Sequence, residues 1–273
     1  MKDWDIQINY GIKTGFNEAF IISGEKRNEL IEQDPKSEEI IRPLLRGRDI
    51  KRYSYEFADL YLLFIPWHFP LQNDSTIQGA SEKAENAFEN QYPAVYNHLL
   101  KYKKELSARN KAETGIRYEW YALQRWGANY WEDFSKQKII YIEIMTDNPE
   151  EGYEFPAFSF DTHGCILLNT AYMISGKTNE LKFILSILNS KLGRHLVKLY
   201  VTQLQNRQFR MLHQSVINFP IPKITDDEMH NLNELVNKIL SNKNDELVAI
   251  EINNAVYGLY GINAEEIEFI ESL

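Results

Sequence analysis

Arginines, side-chain amides and aromatics are the residues of this 273-residue chain whose spacing could do chemistry. Arg42-Pro-Leu-Leu-Arg46-Gly-Arg48-Asp-Ile-Lys51-Arg52-Tyr53 places five bases and one acid within eleven residues, Arg42 to Arg52. Gly47 suggests an exposed turn, where Arg46, Arg48, Lys51 and Arg52 can grip phosphates or pair with guanine edges. A second segment, Arg117 to Trp126, interleaves aromatics with arginines. Its Gln124 has the amide that pairs bidentately with adenine. Trp120 and Leu123 are expected to pack inward and Arg117, Gln124 and Arg125 to reach out, although aromatics so spaced also build ordinary core. Lys191, Arg194 and Lys198 form a basic stripe opposite a leucine face, and Gln205, Arg207 and Arg210 follow in an amide-rich stretch. Lys13, Thr14 and Asn17, in a glycine-flanked loop, are a further candidate. A single charge run reads as a solvated face; several on one body point to nucleic acid.

Catalytic patterns are missing. A methyl-transferring centre needs a strand and glycine-rich turn to seat its cofactor. Asp34-Pro35-Lys36 and Asn148-Pro149-Glu150 lack the second proline and the aromatic of the Asn/Asp-Pro-Pro-Tyr/Phe tetrapeptide of amino-methylating enzymes. Asp161 with Glu180-Leu-Lys182 loosely fits a nuclease's acid-then-ExK pattern, but Glu180 opens a helix, where an acid is expected anyway. The six histidines have no paired ligand spacing. No catalytic residue, metal site or cofactor is therefore assigned to this chain.

The net charge of -9 is unevenly spread. From Phe219 onward there are eleven acids and three bases; before it, 28 acids and 27 bases. DNA binding needs a local basic surface, not a basic whole. One cysteine, Cys165, excludes an internal disulfide and fits a reducing cytoplasm. No apolar run approaches eighteen residues. The abrupt patterned start suggests a piece of a longer protein.

The elements that must position these residues read as α+β: a target-recognition body with a mixed sheet and flanking helices, residues 1–222, then a helical extension, 223–273. Short strands are expected at Ile6 to Ile8 and Phe20 to Ile22, and helices at Glu25 to Gln33 and Ser37 to Leu45. A buried strand is expected at Leu60 to Ile65, then a helical stretch carrying Tyr92, Val95, Tyr96, Leu99 and Leu106 on one face. Lys138 to Met145 reads as one strand, and Phe155 to Phe160 with Cys165 to Met173 as a hairpin. One long helix is expected over Asn179 to Tyr200, and three more over Asp226 to Leu240, Glu246 to Tyr260 and Ala264 to Glu271.

Gly11-Ile-Lys-Thr-Gly-Phe-Asn-Glu-Ala-Phe20 and Ile41 to Tyr53 resemble hallmarks of the TaqI-like C-terminal specificity domain. Trp120-Tyr121, Lys138-Ile-Ile-Tyr141, Ile187-Leu-Asn-Ser-Lys191, Phe219-Pro-Ile-Pro222 and the ending Val256-Tyr-Gly-Leu-Tyr-Gly-Ile262 with Glu265-Glu266-Ile267 are similar to it too. That family occurs in type IIG restriction-modification enzymes and adenine-specific methyltransferases. The resemblance implies a module that binds a short duplex DNA sequence and presents one adenine to a methyltransferase domain. That domain would normally precede this segment and use S-adenosylmethionine. Two other readings stay open: a stand-alone protein-interaction module, and a nuclease with an unrecognised site. The missing motifs predict that this polypeptide, given S-adenosylmethionine, magnesium and DNA, neither incorporates labelled methyl groups nor cleaves plasmid. Methyl incorporation by the chain alone would overturn that expectation.

Overall fold

The apolar runs between residues 138 and 175 become the centre of an antiparallel sheet. Its strands lie in the order Gln7–Tyr10, Ala171–Ser175, Lys138–Ile142, Phe158–Asp161. The computed structural model describes residues 1–109, 118–148, 150 and 154–272. It has an α+β fold of two compact units: Met1–Gly11, Arg46–Glu56 and Glu132–Leu273 form the first, Ile12–Leu45 and Phe57–Trp131 the second.

In the first unit the two sheet strands Lys138–Ile142 and Phe158–Asp161 are buried almost throughout. The helix Thr178–Leu188 covers them, and Asp226–Ser241 and Glu246–Tyr260 pack on that helix through Leu232, Val236 and Ile252. The break expected after Pro222 therefore does not separate compact units: the apolar stripes of the last helices are part of the first unit's core. Much of the tail's acid caps these helices. Asp226, Asp227 and Glu228 occupy one first turn, with a Thr225–Glu228 capping box, and Asn263 and Glu266 cap another. Carboxylates there are stabilised by the exposed N–H groups of the helix end.

The long helix expected over Asn179 to Tyr200 is two, Thr178–Leu188 and Lys191–Tyr200. Asn189 breaks it by acting as a strand partner: its amide donates to Phe158 O and accepts from Phe158 N. Ser190 then caps the second helix through Gly193 N. Lys138 to Met145 is also divided, because Ile144–Thr146 joins a different, three-stranded sheet with Thr202–Gln203 and Gln208–Arg210. The hairpin expected around Thr162 to Gly164 is absent, since Lys138–Ile142 lies between the two strands.

In the second unit Leu60–Leu63 pairs with Ile21–Ser23 on one side and Ile41–Leu45 on the other. Ile41–Leu45 is a strand rather than the expected helix, preceded by a 3-10 turn, Pro35–Ile40. Pro43 would cost a helix interior about 3 kcal/mol, and the β-branched Ile41 suits the ladder. The helical stretch after it is three helices, Glu82–Gln91, Pro93–Leu100 and Lys103–Ala108. Phe88 stacks on Tyr121 at 4.6 Å within an aromatic core.

Lys138 and Asp161 form an ion pair with no solvent exposure. Asp161 also accepts from Tyr55 OH and from the N–H groups of His163 and Cys165. Removing one partner strands a charge in the interior. Lys138→Met is thus expected to lower unfolding free energy by about 3–5 kcal/mol in urea titration; a loss under 1 kcal/mol would show the pair to be dispensable.

Candidate nucleic-acid interface

Asp147 is the acid around which three basic residues of the first unit gather. Its side chain is only 4% exposed, yet three cations end on it: Arg194 at 2.8 Å, Lys198 at 3.2 Å and Arg207 at 3.3 Å. Arg194 and Lys198 come from successive turns of the helix Lys191–Tyr200, and Arg207 from the hairpin between Thr202–Gln203 and Gln208–Arg210. Two clusters separate in sequence are thereby one. Burial alone would raise the Asp147 carboxyl; Lys198 and Arg194 outweigh it and hold the group below the usual carboxylate range.

The hairpin tip is a tight turn. Gln208 N donates to Gln205 O, and Asn206 and Arg207 both have left-handed backbones, φ 56° and 57°. Both central residues of a type I′ turn need that conformation, and glycine is favoured at the second. Arg207 occupies that place because Asp147 holds it twice, by the ion pair and by Asp147 N donating to Arg207 O at 3.0 Å. Residues 202 to 207 are all exposed, so Gln205 and Arg207 stand at the surface, in the turn between two strands of the three-stranded sheet. Arg210, on the returning strand, pairs with Glu143. Lys191 points elsewhere, to Glu271 at 3.0 Å.

The basic turn is half anchor and half surface. Arg46 forks onto Asp49, which pushes its guanidinium pKa up and closes the Gly47–Asp49 turn. Gly47 has no room for a side chain: a Cβ there would lie 2.8 Å from Ile142. Arg52 donates to Asn189 O at 2.6 Å, and Tyr53 N donates to Phe158 O. Arg48 is exposed and Lys51 half-buried. Among the described residues Arg48 makes no ion pair.

In the second unit Lys13 and Arg125 exchange two backbone hydrogen bonds of 2.9 Å. Thr14 is buried, and its hydroxyl donates to the exposed Asn17 at 2.6 Å. Trp120 and Leu123 pack inward as expected. Gln124 does not reach out: it is 4% exposed, beside Gly15, whose φ of +80° lets the chain turn against it. Arg117 lies outside the described residues. Two functional side chains escape the sequence reading. Arg109 ties the unit together by donating to Thr14 O and Trp120 O, with burial lowering its pKa. Asp147 is the other; its partners lie 47 to 60 residues away, so no local pattern marks it.

The candidate nuclease residues are not assembled. Asp161 is committed to Lys138 inside the core, Glu180 pairs with Lys177, and Lys182 donates to Asn237. The Cys165 thiol is buried and, beside Asp161, pushed up to about 12, so it stays protonated at neutral pH.

The model of the TaqI-like C-terminal specificity domain matches residues 42–221. The chain belongs to that family. The matched span holds the basic turn, Asp147 and the hairpin; the motifs at Gly11 to Phe20 and Val256 to Ile262 lie outside it. Type II methyltransferase M.MjaIV of Methanocaldococcus jannaschii is 21% identical over 238 residues, 86% of this chain and 71% of that protein. The specificity domain also shares its fold with the type IIL restriction-modification enzyme MmeI, solved in complex with DNA. The TM-score is 0.64 at 17% identity, covering 97% of this chain and 35% of that one. The type IIG restriction endonuclease BpuSI is matched with a TM-score of 0.46 and 14% identity, over 94% of this chain and 31% of that one. The chain thus spans about a third of each of these two restriction enzymes' length. No helix among the described residues is long and apolar enough to cross a membrane.

Asp147→Asn is expected to cost about 1.5–3 kcal/mol at neutral pH, the worth of hydrogen bonds to a charged group. A depressed carboxyl stabilises the fold fully above its unfolded pKa of about 3.9 and loses that as pH falls through the lower folded value. The gap between wild type and Asp147→Asn should therefore be constant from neutral pH to about 4 and close below it. Urea titrations across pH measure this; a gap that widens on acidification would contradict the geometry.

Proposed function

We propose that this chain is the DNA-reading module of a restriction-modification adenine methyltransferase. In this reading it binds a short duplex sequence and holds one adenine for a methyltransferase domain, N-terminal in the same polypeptide, that uses S-adenosylmethionine. The observation that carries the reading is the coincidence of two spans. Residues 42–221, matched to the specificity domain, enclose the exposed Arg48, the Asp147 cluster and the exposed hairpin turn. The kinship with a type II methyltransferase over most of that protein's length supports the same reaction class.

The geometry supports the following roles. Three cations against one carboxylate leave excess positive charge, and their N–H groups are suited to phosphate. Arg48, Lys51, Arg194, Lys198 and Arg207 are the proposed phosphate contacts. Gln205 is the proposed adenine-pairing amide at the hairpin turn, and Arg125 a second reader.

Fluorescence anisotropy on duplex DNA across a salt series tests this. Affinity should fall steeply with salt, because each neutralised phosphate releases counterions. Arg48→Ala and Arg207→Ala should each flatten the log–log slope by about one and weaken all sequences alike. Gln205→Ala should cost about 1–3 kcal/mol on the cognate site and relax one base pair. Affinity indifferent to salt would sink the proposal, and uniform weakening by Gln205→Ala would reverse the assigned roles.

A further inference from the structure

Three of the chain's five tryptophans line one cavity of the second unit, about 450 Å³ in volume. Its walls include Phe64, Trp67, Trp126 and Trp131, and its polar lining includes Arg42 and Gln72. Apart from Arg42, which opens the basic run Arg42 to Arg52, none of these belongs to the basic residues described above. Trp67 is fixed: its N–H donates to Leu123 O at 2.8 Å, and its ring stacks on Tyr118 at 5.2 Å with planes 9° apart. Trp131 tilts against Phe64 at 6.0 Å but is left 42% exposed. His68, also lining the cavity, sits at φ 63°, held there by two hydrogen bonds to the buried Glu119. A non-glycine residue in the left-handed region is a strain that accumulates at ligand sites.

Trp126 Nε1 is buried with no surface open to the cavity, so the ring and not the N–H is what this tryptophan offers an occupant. Aromatic walls ask for a planar face. A rim with both Glu39 and Arg42 favours no strongly charged ligand. The volume falls within the range of small-ligand pockets and leaves room for a ring plus a sugar.

We propose that this cavity is a nucleobase pocket. The tryptophan faces stack on a single unstacked base, and Arg42 and Gln72 supply donors to its edge. The base comes from DNA extruded at or beside the target, which rests on the DNA-reading function proposed above; a free nucleoside offers the same chemistry.

The test titrates the chain with each of the four deoxynucleosides and with deoxyribose, following the proton–nitrogen resonance of Trp67 Nε1, whose ring lines the cavity. In parallel, anisotropy compares a fully paired duplex with one carrying a single mismatch. At least one deoxynucleoside should shift the resonance saturably, and deoxyribose should not. Trp131→Ala, at an exposed ring, should weaken that binding about ten-fold. The mismatched duplex should bind about ten-fold tighter than the paired one, because its base unpairs more cheaply, and Trp131→Ala should erase the difference. If no deoxynucleoside moves the resonance while duplex binds with a normal salt slope, the pocket is refuted and the DNA-reading function stands. If deoxynucleosides bind but neither duplex does, the pocket stands as a site for free nucleosides and DNA reading falls. Duplex binding without mismatch preference, beside nucleoside binding, refutes DNA as the source of the base.

Discussion

A carboxylate with no access to water, Asp161, organises the first unit. It takes the ammonium of Lys138 from the neighbouring strand, the hydroxyl of Tyr55 and two backbone N–H groups of its own following turn. Burial makes the charge costly and so makes its partners obligatory. Through Tyr55 the demand reaches the Ser54–Tyr55 strand and its partner Ile50–Lys51, which follow directly on the Gly47–Asp49 turn. Where Arg48 can go is thus set from inside the core, and Arg46 and Arg52 are spent holding the turn's two ends.

Asp147 repeats the device in a more open setting. Its cations retain partial exposure, with Arg207 at 55%, so the same interaction that fixes them also presents them. A pre-positioned guanidinium loses less freedom on binding than one free in water. An acidic total charge is compatible with this surface because much of the acid is used at helix ends in the last fifth of the chain. Net charge describes the whole; the ligand meets a patch.

What was legible in the sequence, and what was not, divides by range. The last three helices were readable because caps and 3.6-residue stripes are local, and the basic turn because its glycine and arginines are adjacent. The split at Asn189 was not, since Leu181 to Leu199 keep helical spacing across it. Only a strand thirty residues earlier explains why Asn189 leaves the helix. Gln124 carries base-reading chemistry but points inward, because interleaved aromatics do not say which face is the core. Asp147 had no local signature at all. Sequence therefore named the cations, and the fold decided which of them act together.

The most direct measurement is a binding selection on duplex DNA with a randomised central region, using this chain and reading the retained sequences. A sequence-reading domain predicts strong enrichment of one short motif, and for Gln205→Ala enrichment of the same motif with one position relaxed. Retention of DNA with no preferred sequence would contradict the account, leaving a basic surface that grips phosphate and reads nothing.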